Sequence, residues 1–196
     1  TTAPETSIGD GHPALTKVSS ASFDFTSSEN GSGFACSLDG AAFAACESPQ
    51  AYAGLADGEH VFLVLATDRA GNPDDSAATF AWTVDTVAPQ TSISAGPPAQ
   101  TSSTSASIEF TSSENGSSFA CSLDGVPLSP CGNPASYVDL VEGAHIFAVV
   151  ATDAAGNADP TAATRSWTVD VTAPDTSITL SPPALSASAD ASISFT

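Results

Sequence analysis

The chain has 196 residues, with 22 Asp and Glu against three basic side chains, Lys17, Arg69 and Arg165, and a formal net charge of −19. A surface this acidic repels phosphate backbones and anionic lipid, so no nucleic-acid partner and no membrane contact by these residues is expected. No apolar run approaches the length that spans a bilayer, and the abundant carboxylates suit solubility and divalent cations.

One period organises everything else. Pro4, Pro89 and Pro174 recur every 85 residues, and the segment Trp82-Thr-Val-Asp85 that precedes Pro89 returns as Trp167-Thr-Val-Asp170 before Pro174. The expected units are residues 1–85, residues 86–170, and residues 171–196 as the first strands of a third copy. A copy near 85 residues is long enough to bury one core. The third stops where its second strand would end, which leads us to expect a window on a longer array.

Within a copy, residues 6–8 form a short first strand. Residues 20–26 alternate apolar and polar with Phe23 and Phe25 on one face, the period of a half-buried strand. Ile108 with Phe110, and Ile193 with Phe195, keep that alternation. Asn30-Gly31 supplies the next turn. Cys36 and Cys46 then flank Asp39-Gly40, the centre of a hairpin, and Cys121 and Cys131 repeat the arrangement. Without CxxC spacing or His partners, this reads as one disulfide per copy, Cys36 with Cys46 and Cys121 with Cys131, in an oxidising compartment. Pro49 and Tyr52 lead into Leu55-Ala-Asp57-Gly58-Glu-His60, and residues 61–67 form the longest apolar strand. Asp68-Arg-Ala-Gly71-Asn72-Pro-Asp74 breaks it, and residues 77–85, with Phe80 and Trp82, close the copy. About seven short strands, frequent turns and no helical period predict an all-β fold of tandem antiparallel β-sandwiches.

The string Cys-Ser-Leu-Asp-Gly, a second Cys, Leu-x-x-Gly-x-His-x-Phe-x-Val-x-Ala-x-Asp-x-Ala-Gly-Asn and Trp-Thr-Val-Asp resembles the bacterial Ig-like repeats of long secreted and surface proteins. Both full copies carry it. The Leu-x-x-Gly-x-His segment is also similar to the E–F corner of fibronectin type III domains, with His60 and His145 where a Tyr usually stands. The resemblance implies seven-stranded Ig-like or fibronectin-like sandwiches that serve as stalks, adhesin shafts or matrix components.

Four constellations could carry chemistry. In such a sandwich, the Asp68 loop and its counterpart at Asp153 lie at the end of a copy that meets its predecessor. The junction would then gather Asp57, Asp85, Glu114, Asp153, Asn157 and Asp159, hard oxygen ligands suited to Ca²⁺, which takes six to eight oxygens. The competing reading is a turn in which Asp caps backbone amides and Gly takes positive φ. His60 and His145 recur without partners for catalysis and read as corner ties to nearby backbone, while His12 has no counterpart. Trp82 and Trp167 read as core side chains rather than a sugar-stacking platform. Asn30-Gly-Ser32 and Asn115-Gly-Ser117 have the form of N-glycosylation acceptors, though both sit on a turn that Asn-Gly would make anyway.

No nucleophile elbow or phosphate loop appears, so no enzyme, no catalytic residue and no organic cofactor is expected, with Ca²⁺ the one candidate ion. A feature repeated every 85 residues fits a structural array. The functional expectation is an extracellular or cell-surface array, the stalk of an adhesin. One alternative is a filament or matrix subunit that self-associates into fibres. The other is a carbohydrate-binding or accessory module of a secreted enzyme. Neighbouring repeats of the same chain are the expected partners.

Overall fold

The computed structural model describes residues 2–9, 12–185 and 187–196, and it is all-β. The first copy contains β1 (Thr6–Ile8), β2 (Leu15–Thr16), β3 (Ser20–Phe23), β4 (Phe25–Ser27), β5 (Gly33–Leu38), β6 (Ala44–Cys46), β7 (Gln50–Ala53), β8 (Gly58–Thr67) and β9 (Ala78–Val84). The second contains β10 (Thr91–Ala95), β11 (Gln100–Thr101), β12 (Ala106–Ser112), β13 (Ser118–Leu123), β14 (Ser129–Pro130), β15 (Ala135–Tyr137), β16 (Gly143–Thr152) and β17 (Ala163–Val169). Strands β18 (Ile178–Leu180) and β19 (Ser194–Phe195) follow as a two-stranded ladder. Among the described residues, no helix is long and apolar enough to cross a membrane.

Each copy builds one five-stranded sheet, in the order β2-β9-β8-β5-β6 and again β11-β17-β16-β13-β14. Opposite it in the second copy stands a three-stranded sheet, β10-β12-β15. In the first copy the equivalent strand is interrupted at Asp24, so β1 pairs with β4 and β3 with β7 in two short ladders. The leading segment switches sheets. β1 runs antiparallel to β4, whereas β2 lies parallel to β9, as β11 does to β17. This parallel edge strand was not anticipated. Two residues are too few to show an alternation, and the pairing is defined by its neighbour rather than by its own pattern. Gln50–Ala53, in the sequence an approach to the corner, is likewise a strand, paired with β3.

Period-2 alternation places the cores. Along β8, His60, Phe62, Val64 and Ala66 are buried while Glu59 and Val61 face out. In the second copy Ile108, Phe110, Phe147, Val149 and Val169 are fully enclosed. Phe23 stacks on Phe62 with ring centroids 4.4 Å apart and planes 7° from parallel, an offset-stacked contact that adds to the area term. Cross-strand partners recur down the chain as Ile8 with Phe25, Ile93 with Phe110 and Ile178 with Phe195. The first two phenylalanines are buried, whereas Phe195 is 71% exposed.

Both disulfides are present, Cys36–Cys46 and Cys121–Cys131, with Cα atoms 5.8 and 5.7 Å apart. Each pins a short edge strand to the sheet. Closing so short a loop removes unfolded-state entropy equivalent to about 2–3 kcal/mol, useful where an edge strand is only two or three residues long.

Candidate functional site: the junction between the copies

The turn reading of the Asp68 and Asp153 loops holds in atomic detail. Asp68 Oδ1 accepts from the backbone N–H of Ala70 and of Asn72, and its Oδ2 accepts from Asn72 Nδ2 at 2.7 Å. Asp153 binds the backbone N–H and the side-chain amide of Asn157 in the same manner, at 2.7 Å each. Gly71 and Gly156 take φ of +90° and +92°, a conformation that side chains resist. These donors offset the burial of Asp153 and hold its carboxyl below the ordinary aspartate range.

The next acid along clamps the first strand. Asp74 accepts from the Thr6 N–H at 2.7 Å, and Asp159 from the Thr91 N–H at 2.6 Å. Asp159 also accepts from Thr161 N–H and Oγ1. Backbone donation from Thr161 is the main cause of a carboxyl pulled down to about 2.

The linker between copies is held at both ends. Asp57 accepts from the Thr86 backbone N–H at 2.9 Å and from its hydroxyl at 3.1 Å. Asp85 caps the Val87 N–H at 3.1 Å, and Pro89 is fully buried. Beyond the linker, among the described residues, two side chains also reach from one copy to the other. Asn157 Nδ2 donates to the Asp85 carbonyl at 2.8 Å, and Lys17 Nζ donates to the Gly156 carbonyl at 2.7 Å.

Of the six residues named as ion ligands, three converge: carboxylate oxygens of Asp85, Glu114 and Asp153 lie within 4.8 Å of one another. Asn157 touches two of them, since its amide donates to Asp153 and to the Asp85 carbonyl. Asp57 and Asp159 stand outside the group, and their carboxylates are already occupied by Thr86, Thr91 and Thr161. Desolvation, then the charges of Asp85 and Asp153, raises the Glu114 carboxyl above its ordinary value. Three acids thus stand together, with Lys17 bound to the Gly156 carbonyl of the same loop. Hard oxygens from two copies are the donor set that Ca²⁺ takes.

The corner histidines have a partner that the sequence reading missed. His60 Nε2 meets the Ala56 carbonyl at 2.8 Å, the expected backbone tie, while Nδ1 meets Asp39 Oδ2 at 2.8 Å. His145 repeats this with Val141 and Asp124. The signal was available: Asp39 with His60, and Asp124 with His145, recur at the same separation. Lys17 carried no such signal, because Ser102 stands at its place in the second copy.

Trp82 and Trp167 are 2% and 3% exposed, which leaves no ring face for a sugar. Asn30 and Asn115 are exposed, but the serine hydroxyls two residues on already donate to the Glu29 and Glu114 carbonyls. One concavity, of about 530 Å³, is lined by Pro4, Thr6 and Asp74, whose carboxylate is taken by backbone amides.

No family model matches the chain, and no protein of curated function matches its sequence. Among solved structures, the chain is similar to the fibronectin(III)-like modules of Clostridium thermocellum CbhA, at 17% identity and a TM-score of 0.45, over 84% of this chain and 94% of theirs. A 1.5-MDa bacterial ice-binding adhesin aligns at 11% identity and a TM-score of 0.45 over 86% of this chain, and a Ca²⁺-stabilized ice-binding adhesin of an Antarctic bacterium at 18% and 0.43 over 86%. The chain spans 65% and 49% of those two structures. With a three-stranded sheet facing a five-stranded one and the leading segment divided between them, the chain has an Ig-like and fibronectin type III-like all-β fold.

Proposed function

We propose that this chain is a mechanical spacer outside the cell, a stretch of the stalk of a bacterial surface adhesin or a protein of similar build. The observation that carries the reading is the junction. Two side chains, Lys17 and Asn157, reach across it to backbone carbonyls, and Asp57 and Asp85 cap the linker that ends in a buried Pro89. Side chains spent on fixing one copy against the next set a direction for the chain. The two disulfides match an oxidising, extracellular setting. The enclosed Trp82 and Trp167 weigh against a carbohydrate-binding module.

Small-angle scattering and electron microscopy of the purified chain test this reading. A stalk gives monodisperse, extended particles with a narrow distribution of maximum dimension. Ordered polymers would instead support the filament subunit, and a broad distribution of bent shapes would overturn the rigid spacer.

Calcium at Asp85, Glu114 and Asp153 belongs to the same proposal. Bound there, Ca²⁺ would offset the crowding of charge and cross-link the copies through oxygen ligands. A melting temperature that is the same in chelator and in millimolar Ca²⁺ would sink the idea.

A further inference from the structure

We propose that His60 and His145 are held as imidazolium cations, each locking the disulfide hairpin of its copy onto the longest strand, and that alkaline pH releases both locks. The geometry demands two donors from each ring. Nε2 of His60 faces the Ala56 carbonyl at 2.8 Å, and a carbonyl oxygen can only accept. Nδ1 faces Asp39 Oδ2 at 2.8 Å, and an ionised carboxylate can only accept as well. A neutral imidazole carries one N–H and satisfies one of these acceptors. The cation satisfies both. His145 meets the Val141 carbonyl at 2.9 Å and Asp124 Oδ2 at 2.7 Å, so the second copy poses the same demand.

The aspartate is kept in its accepting form. Its other oxygen takes the Val61 backbone N–H at 2.9 Å, and Asp124 takes that of Ile146 at 2.8 Å. Asp39 N–H in turn donates to the Val61 carbonyl. Asp39 and Asp124 adopt φ of 51° and 52°, in the left-handed region that only a few side chains visit. The Asp-Gly turn of each hairpin is thus seated on the strand by one carboxylate, one amide and one imidazolium.

The indole of Trp82 lies beside the His60 ring, centroids 5.3 Å apart and planes at 32°; for Trp167 and His145 the values are 5.5 Å and 32°. A cation against an indole face gains where a neutral ring would not. The other groups around the lock are few. Asp39 is the charged side chain that bears on His60, and Asp124 on His145. From β9 comes the uncharged indole, with His12 packed on Trp82 at 5.3 Å. Tyr52 of β7 lies within reach of the Asp39 charge, and burial together with that charge raises its phenol above the ordinary value.

Both histidines are shifted in the corresponding direction. The Ala56 carbonyl and then Asp39 raise His60, and Asp124 and then the Val141 carbonyl raise His145, each against an opposing effect of burial. A folded-state value above the unfolded one contributes stability that is complete below about pH 6.5 and is lost as pH climbs through the folded-state value. The lock therefore fails toward alkaline pH. In acid the imidazolium persists, and the lock holds until Asp39 and Asp124 are themselves protonated.

The test uses the full chain. Imidazole ¹⁵N–¹H spectra at about pH 7 should show His60 and His145 each carrying protons on both ring nitrogens. The unfolding midpoint should fall steadily as pH rises from about 6.5 to about 9, and the fall should shrink in His60→Gln/His145→Gln. Asp39→Asn/Asp124→Asn keeps the histidines and removes the anionic acceptor, so the ring titrations should move to lower pH. A single proton on each ring at neutral pH, or the same alkaline loss in the wild type and in the His variants, would overturn the proposal. Should the His variants not fold, the ring spectra of the wild type decide alone.

Discussion

The two complete copies share a strand order, a disulfide and a corner lock, while among the described residues a group of three carboxylates gathers around Glu114 and not around Glu29. Glu29 and Asp68 occupy in the first copy the places that Glu114 and Asp153 occupy in the second. Among the described residues, the second pair is joined by a third carboxylate, Asp85, which arrives from the preceding copy. The acidic group is therefore assembled from two copies across a joint. Lys17 makes the same point from the other side, since it reaches Gly156 in the next copy. The sandwiches also differ inside. His12, Phe23 and Phe80 surround Trp82 in the first copy. In the second, Pro97, Ile108 and Arg165 stand at those positions, with Arg165 bonded to the Pro97 carbonyl.

That internal difference sets the largest expected effect. Replacing an enclosed aromatic by alanine costs about 3–5 kcal/mol, depending on how far the site collapses. Trp82→Ala removes a ring that meets four others, whereas among the described residues Trp167 meets one, His145. We expect Trp82→Ala to destabilise its copy toward the top of that range and Trp167→Ala toward the bottom. Urea unfolding of the two variants, followed by near-ultraviolet circular dichroism, measures both. Equal losses would mean that the aromatic cluster adds nothing beyond buried area.

Most of the scaffold was legible because physics writes it locally. Alternation at Phe23 and Phe25, Asp-Gly between paired cysteines, and glycine at the loop where φ must be positive each leave a mark within a few residues. What was not legible depends on chain segments far apart. The parallel pairing of Leu15–Thr16 with β9 has no pattern of its own. Asp39 carried so clear a turn signal that its second task, holding His60 from 21 residues away, went unseen. At the joint, the convergence of Asp85, Glu114 and Asp153 was readable once the end-to-end order of loops was assumed. That Asp57 and Asp159 lie outside this group was not, because it turns on where the folded loops carry their side chains.

The acidic joint yields an intermediate effect. Glu114 is crowded by Asp85 and Asp153, while among the described residues no such group gathers around Glu29. In chelator, Glu114→Gln should raise the unfolding midpoint of the second copy, by less than either tryptophan change lowers it, and Glu29→Gln should leave the first unchanged. If Ca²⁺ binds at the joint, the ion should stabilise the wild type and not Glu114→Gln. Parallel melting curves in chelator and in millimolar Ca²⁺ separate charge relief from ion binding. A Glu29→Gln variant that behaves like Glu114→Gln would show that the effect is general electrostatics.

The smallest effect concerns orientation more than stability. A hydrogen bond contributes about 0.5–1.5 kcal/mol net, and Lys17 and Asn157 make one each across the joint, the first exposed and the second half-buried. Asn157 also closes its own loop onto Asp153, so Asn157→Ala disturbs the second copy as well as the joint. Lys17→Ser is cleaner, because it writes the residue of the second copy, Ser102, into the first. Its unfolding midpoints should fall by no more than that bond is worth, less than in either tryptophan variant, while residual dipolar couplings should report a wider spread of angles between the copies. A spread that does not change would mean that the buried Pro89 and the Asp57 and Asp85 caps fix the angle alone. Stiffness would then reside in the linker backbone, and it would be common to every joint that repeats Val-Asp-x-x-Ala-Pro.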